Sequence, residues 1–97
     1  MSRAQPQPRA ILVVDVGNTS TSLGLYRAGR VVRQTRVATA LTAPATLRAA
    51  VRKLGARIAW AGAMVATVVP ARGPLWVRTV RPLVAGPVGL LDHRSPL

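Results

Sequence analysis

The sequence has no cysteine, a single histidine and only two acidic residues in 97 positions. The lack of cysteine excludes a disulfide framework and a thiolate metal site, and it fits a reducing cytoplasm, which is the location that we predict. One histidine and two distant acids form neither a clustered set of metal ligands nor a Ser-His-Asp triad. The sequence also contains no GxxxxGK[ST] loop. Its chemistry must therefore depend on a few polar side chains.

Aromatic residues are scarce too, with no Phe, one Tyr and two Trp. Hydrophobic residues make up 49% of the chain, which argues against disorder. Many of them are Ala and Val, so the core must be built from small side chains. The length allows one small domain with a thin margin of stability. We interpret the polar, proline-rich residues 1–9 as a flexible leader and residues 10–97 as that single domain.

The charge is strongly one-sided, because 14 basic residues face two acids and give a formal net charge of +12. Such a balance is typical of proteins that bind nucleic acid or another acidic surface. The basic residues are spread along the whole chain and few aromatics are present for base stacking, so a nucleic-acid-binding module is the less favoured hypothesis. An acidic partner, or the acidic remainder of a longer chain, is another explanation. The uncharged stretch at 58–71 is too short to span a membrane, and we expect no membrane partner.

One stretch near the amino terminus combines an apolar run with an unusual turn. Ile11 to Val14 are all apolar and lead directly into Asp15. A glycine, an amide and four hydroxyl residues follow within Gly17 to Ser22, and this pattern predicts a buried strand that enters a hairpin. Glycine, backbone N–H groups, hydroxyls and a carboxylate suit phosphate and metal binding. The alternative is a plain hairpin, since Asn, Ser and Thr are common turn formers. We favour the functional interpretation because an unpaired charge at the end of an apolar strand is costly.

The remaining pattern predicts an α/β domain. Strands at 10–16, 20–27 and 30–39, with a tight turn at Ala28-Gly29, predict an antiparallel meander in which Val31, Val32 and Val37 form the apolar side of the third strand. A helix is predicted over 44–54, with Thr42 or Ala43 as its cap, Gly55 as its end, and Leu47, Ala50, Val51 and Leu54 on its buried face.

The second half of the sequence continues this alternation. A fourth strand is predicted at 64–69, parallel to the first and buried on both faces. The first strand should lie centrally, between the second strand and this one. A second helix follows from Gly73, with packing rather than binding expected for Trp76, and a fifth strand at 88–91. The apolar positions expected in this second helix are Leu75, Val77, Val80 and Leu83.

Two segments resemble the type III pantothenate kinases. Asp15 to Thr19, with Gly24 following, is similar to the first phosphate motif of that family. Ala66 to Pro70 reads ATVVP and resembles the family's Ser-Ser-Val-Val-Pro segment, with Ala and Thr in place of the two serines. The order and spacing of the two segments also suit the family.

The resemblance implies a fold and a set of site residues. The family belongs to the acetate and sugar kinase, Hsp70 and actin superfamily, so it implies a ribonuclease H-like (actin-like ATPase) domain with a mixed sheet and the order β-β-β-α-β-α-β. It further implies that Asp15 organises Mg²⁺ near the β- and γ-phosphates of ATP, while the turn donates hydrogen bonds to phosphate oxygens. The residues implied for nucleotide binding are Asp15, Val16, Gly17, Asn18, Thr19, Ser20, Thr21 and Ser22.

The resemblance implies an activity that this sequence carries only in part. Type III pantothenate kinases use ATP to phosphorylate pantothenate, the first step toward coenzyme A, and full-length members often form homodimers. Their second domain supplies the general base, the pantothenate contacts, a second phosphate motif and a site for K⁺ or NH₄⁺. We expect that domain to be absent from this sequence, so no catalytic residue is assigned here, and neither Asp92 nor His93 is given such a role. The 97-residue chain alone is then expected to be inactive. The alternative is a truncated, non-catalytic remnant with weak or no nucleotide binding.

Overall fold

The structure is a computed structural model that describes residues 9–39, 44–55 and 57–91. The predicted leader at 1–8, the helix cap at Thr42 or Ala43, and Asp92 and His93 lie outside these ranges. The strands are β1 (Ala10–Val16), β2 (Ser20–Arg27), β3 (Arg30–Ala38), β4 (Trp60–Thr67) and β5 (Val88–Leu91). The helices are α1 (Pro44–Leu54) and α2 (Gly73–Val80), with short 3-10 helices at Pro70–Arg72 and Arg81–Leu83.

The five strands form one mixed sheet in the order β3-β2-β1-β4-β5. β1 pairs with β2 in antiparallel and with β4 in parallel orientation, which confirms the predicted central position of the first strand. The apolar run of β1 suits this position, because Leu12 and Val14 are fully buried and Ile11 and Val13 are half-buried between the two neighbouring strands. The β2–β3 turn has positive φ at both Ala28 (55°) and Gly29 (84°), the geometry of a tight hairpin turn.

Both described helices pack on the same face of the sheet and form one hydrophobic core with it. Alternate residues of β1 and β2 point into this core, as the two-residue period of a strand requires. The predicted face of α1 is confirmed, because Leu47, Ala50, Val51 and Leu54 are all buried. Trp76 of α2 is also buried, at 2% exposure, and packs as expected.

The fourth strand differs from its prediction in length and in burial. β4 begins at Trp60 rather than at residue 64 and ends at Thr67 rather than at 69. It is not buried on both faces, since Met64 is 42% exposed. The physical reason is that the described helices cover only one face of the sheet. We call the other one, which carries Val13, Asp15 and Met64, the open face.

Two further expectations about apolar positions were wrong. Val31 and Val32 are 50% and 39% exposed, because a register shift follows Leu25 in the β2–β3 pairing and places them outside the core. Leu75 is 43% exposed on the outer side of α2. The helix also ends at Val80 and tightens into a 3-10 turn, since Pro82 has no N–H to continue an α-helix.

The predicted element order, β-β-β-α-β-α-β, is confirmed over the described residues. The architecture is a mixed α/β fold with helices on a mixed sheet, and it is consistent with an actin-like kinase domain. None of the helices in the described ranges has the length and hydrophobicity that a membrane span needs.

Candidate functional site

The candidate site lies where several strands end at one edge of the sheet. β1, β3, β4 and β5 all run in the same direction, so their carboxyl ends meet there, beside the start of β2. We call this the carboxyl edge. Ligands of α/β sheets bind in crevices beyond such strand ends. The turn that follows Asp15 is part of this edge.

The β1–β2 turn is held tightly by its own backbone. The N–H of Gly17 donates to the carbonyl of Ser20 at 3.0 Å. A Cβ added to Gly17 would lie 2.7 Å from that same carbonyl oxygen, closer than real Cβ atoms come. Glycine is therefore required at position 17 by the close approach of backbone to backbone.

A buried threonine directly after β3 fixes the other side of this turn. The Thr39 hydroxyl donates to the Gly17 carbonyl at 2.9 Å, and the Thr39 N–H donates to the Thr19 carbonyl at 2.9 Å. The hydroxyls of Thr21 and Thr39 are 2.8 Å apart. Because Thr39 uses its single hydroxyl hydrogen on Gly17, the Thr21 hydroxyl is the donor in this third bond. The turn is thus fastened to the end of β3.

Asp15 points away from the core, onto the open face of the sheet. Its side chain is exposed, so the expectation that its charge needs compensation at the end of a buried strand was wrong. The strand's alternation is the reason, since Val14 and Val16 take the two buried positions on either side. Asp15 pairs with Ser22 of β2, and Ser22 pairs with Arg36 of β3. A carboxylate, a hydroxyl and a guanidinium therefore share one row across the open face.

The other residues expected at this site divide into two groups. Asn18 and Thr19 are exposed at the tip of the turn, and Ser20 and Ser22 are half-buried. Val16 and Thr21 are fully buried on the helix-covered face. The Thr21 hydroxyl is bonded to Thr39 in the interior, whereas it was expected to face the phosphate ligand.

The end of β4 reaches the same edge and carries the second motif. The N–H of Val68 donates to the carbonyl of Val16 at 3.2 Å, which joins this segment to the end of β1. The Thr67 hydroxyl donates to the Val69 carbonyl at 2.9 Å and lies 2.8 Å from the Val69 nitrogen, so it shapes the chain where the strand ends. The guanidinium of Arg72 lies 3.5 Å from the carbonyl of Thr39.

Sequence reasoning missed Thr39 and Arg72 at this site. Each follows a strand that ends at the carboxyl edge, and that position was the only available signal. Among the described residues, Asp15 is the only acid, and no group of three or more His, Cys, Asp or Glu residues could hold a metal. A cavity of about 690 Å³ between α2 and β5 is lined by Val77, Arg78 and Leu90 among others, but by none of the turn residues.

One comparison bears on this arrangement. The model of the type III pantothenate kinase family matches residues 11–94. No curated protein sequence matches the chain. The matched range includes the glycine turn, Thr39, the end of β4 and Arg72. It covers both segments on which the sequence resemblance rested, and that resemblance is confirmed.

Proposed function

The chain belongs to the type III pantothenate kinase family, and from this we propose that it forms the ATP-binding part of a kinase that phosphorylates pantothenate. The reaction would transfer the γ-phosphoryl group of ATP to the primary hydroxyl of pantothenate. The observation that supports this role most directly is the Gly17 turn. It lies at the carboxyl edge, is fastened by Thr39, and has Asp15 and two exposed polar residues around it.

Phosphoryl transfer depends on positioning and charge neutralisation more than on covalent chemistry by the protein. The exposed side chains of Asn18 and Thr19 supply an amide and a hydroxyl for phosphate oxygens. Ser20 and Ser22 supply further hydroxyls. Val16 and Thr21 would act from the interior, by holding the turn in place.

The donor set at Asp15 fits Mg²⁺ bound together with a nucleotide. Magnesium in kinases is held by one or two carboxylates, waters and the substrate's own phosphates, so a three-acid cluster is not needed. An exposed carboxylate and a hydroxyl in the same row are oxygen ligands of this kind, and they support the proposal. When bound, the ion would neutralise charge on the β- and γ-phosphates. The general base, the pantothenate contacts, the K⁺ or NH₄⁺ site and any dimer contacts would come from the family's second domain.

The binding test uses Asp15→Asn in this chain. We expect ATP to bind more tightly with Mg²⁺ than without it, and we expect the substitution to remove that difference. Isothermal titration with ATP, with and without Mg²⁺, measures it. Asp92→Asn is the matched control, because it makes the same charge change at the only other acid of the sequence. Equal Mg²⁺ dependence in the chain and in Asp15→Asn would contradict the assignment of Asp15.

The activity test joins this chain to a second domain of the family and measures phosphopantothenate formation from ATP and pantothenate. Asp15→Asn is expected to lower turnover by on the order of a hundredfold, the size of effect that follows loss of a main electrostatic stabiliser. Thermal melts of both proteins separate this effect from unfolding. Equal turnover in two equally stable proteins would leave Asp15 as a structural turn residue.

A non-catalytic remnant is the second candidate. It is favoured by one observation, that the described residues contain a single carboxylate. A remnant would show no turnover when joined to the second domain, and its ATP affinity would not depend on Mg²⁺. The two tests therefore separate a kinase part from a remnant.

A further inference from the structure

Three arginines line one cavity at the end of the sheet opposite the carboxyl edge. Arg9 precedes β1, Arg27 ends β2 and Arg57 precedes β4, so the strand pairing brings all three to this end. The cavity measures about 380 Å³. The other described residues that line it are small or apolar, namely Ala10, Ile58, Ala59 and Ala61. We call it the basic cavity.

No acidic side chain of the described residues compensates these charges. The one acid in the described ranges, Asp15, lies near the other end of β1. Three like charges that line one cavity repel each other. A bound anion would relieve this repulsion. Interaction with the negative carboxyl end of a helix does not account for the cluster either, because all three arginines lie outside α1 and α2.

We propose that the basic cavity binds a small oxyanion with at least two negative charges, presented by a condensed phosphate or by a polycarboxylate. Guanidinium groups match the geometry of both kinds of oxygen through paired hydrogen bonds. Arg27 is half-buried on a strand, so the backbone of the sheet holds one wall of the cavity in place. This site is separate from the nucleotide site proposed above and does not rest on it.

The size and lining of the cavity favour a small ligand over a nucleic acid. A volume of about 380 Å³ holds an oligophosphate or a tricarboxylate but not a polymer strand. None of the described residues that line it is aromatic, so these residues offer bases no surface on which to stack. Condensed phosphates and polycarboxylates both present charged oxygen atoms, and they differ in the spacing of their charges.

The test titrates the 97-residue chain with tripolyphosphate and, separately, with citrate, and follows backbone amides by NMR. We expect saturable shifts at Ala10, Ala59 and Ala61. The triple variant Arg9→Gln, Arg27→Gln, Arg57→Gln should lose at least tenfold in affinity for the ligand that binds. Tighter binding of tripolyphosphate would identify a phosphate ligand, and tighter binding of citrate a carboxylate ligand.

The matched control is the triple variant Arg48→Gln, Arg78→Gln, Arg81→Gln, which removes the same charge from exposed helical positions. Its affinity should change less than threefold. Equal losses in both triple variants would overturn the proposal, because they would show attraction to the overall charge alone. Absence of shifts at the three alanines, or tighter binding of duplex DNA with equal dependence on both sets of arginines, would also overturn it.

The single variant Arg57→Gln keeps the proposal testable if the triple variant fails to fold. Arg57 is exposed in the connection that leads into β4, so the substitution removes little packing. It should weaken binding by at least threefold while the dispersion of the amide spectrum stays unchanged. Unchanged affinity in this well-folded variant would contradict the proposal.

Discussion

Thr39 shows how much one side chain decides at the candidate site. Its hydroxyl bonds the carbonyl of Gly17 and accepts from Thr21, and its backbone bonds Thr19 and Arg72. Thr39 itself is only 1% exposed, so water does not reach its hydroxyl group in the folded protein. A turn fastened in this way keeps its shape before a ligand arrives, which reduces the entropy lost on binding.

We therefore predict that Thr39→Val destabilises the protein by about 1–3 kcal/mol, the cost of leaving buried polar groups unpaired. Val has nearly the same shape as Thr, so the change tests the hydroxyl rather than the packing. Urea unfolding of both proteins measures the difference in the free energy of unfolding.

The control for this prediction is Thr79→Val in α2. The Thr79 hydroxyl donates to the Leu75 carbonyl at 2.8 Å in an exposed position, where water replaces it. Its loss should change the free energy of unfolding by less than about 0.5 kcal/mol. If the two substitutions cost the same, the bonds made by Thr39 do not fasten the turn.

At the scale of the elements, the loop before β5 is held by backbone hydrogen bonds and by a glycine. The Ala63 N–H donates to the Pro87 carbonyl at 3.0 Å, and the Ala85 N–H donates to the Trp60 carbonyl at 2.8 Å. These two bonds fasten the loop before β5 to the edge of β4. The loop passes so close that a Cβ on Gly86 would collide with the carbonyl of Ala61.

We predict that Gly86→Ala separates this loop from β4 and costs about 1–3 kcal/mol, the worth of two backbone hydrogen bonds. Amide hydrogen exchange should accelerate at Ala63 and Ala85 more than at residues of β1. Thermal melts give the accompanying loss of stability.

Gly29→Ala is the comparison for this substitution. Gly29 has a φ of +84° but open space around its Cα, so the change tests backbone strain without collision. It should lower stability while leaving exchange at Ala63 and Ala85 unaccelerated relative to the rest of the sheet. Equal exchange patterns in the two variants would argue against the collision at Gly86.

On the scale of the whole molecule, charge is the dominant property. The net charge is +12, and the described residues contain a single acid, so folding gathers like charges with almost no ion pairs to offset them. Self-repulsion of this kind destabilises a compact state, and salt screens it over about 10 Å at 0.1 M.

We predict that the melting temperature rises as sodium chloride increases from about 10 mM to about 150 mM, the range over which the screening length falls most. Thermal melts in sucrose at equal osmolality distinguish the screening of charges by salt from the stabilisation that comes from exclusion of solute from the protein surface. A melting temperature that falls with salt would show that attractive ion pairs outweigh the repulsion.

The order of elements and the position of β1 could be predicted from the sequence because both follow from local patterns. An uninterrupted apolar run from Ile11 to Val14 requires neighbours on both sides, and helical spacing from Leu47 to Leu54 shows which face of α1 is buried. The glycine turn after Asp15 was also visible, since its residue types are rare in combination.

The tertiary structure alone decided which groups meet. Thr39 bonds Gly17 across 22 positions, and Arg72 reaches Thr39 across 33, so no window of sequence contains either pair. The exposure of Asp15 and Met64 follows from helices that cover one face of the sheet, which the apolar run in β4 did not reveal. The three arginines of the basic cavity are dispersed between positions 9 and 57, and strand pairing brings them together. Local periodicity determines elements, whereas long-range pairing determines sites, because a site joins the ends of strands that are distant along the chain.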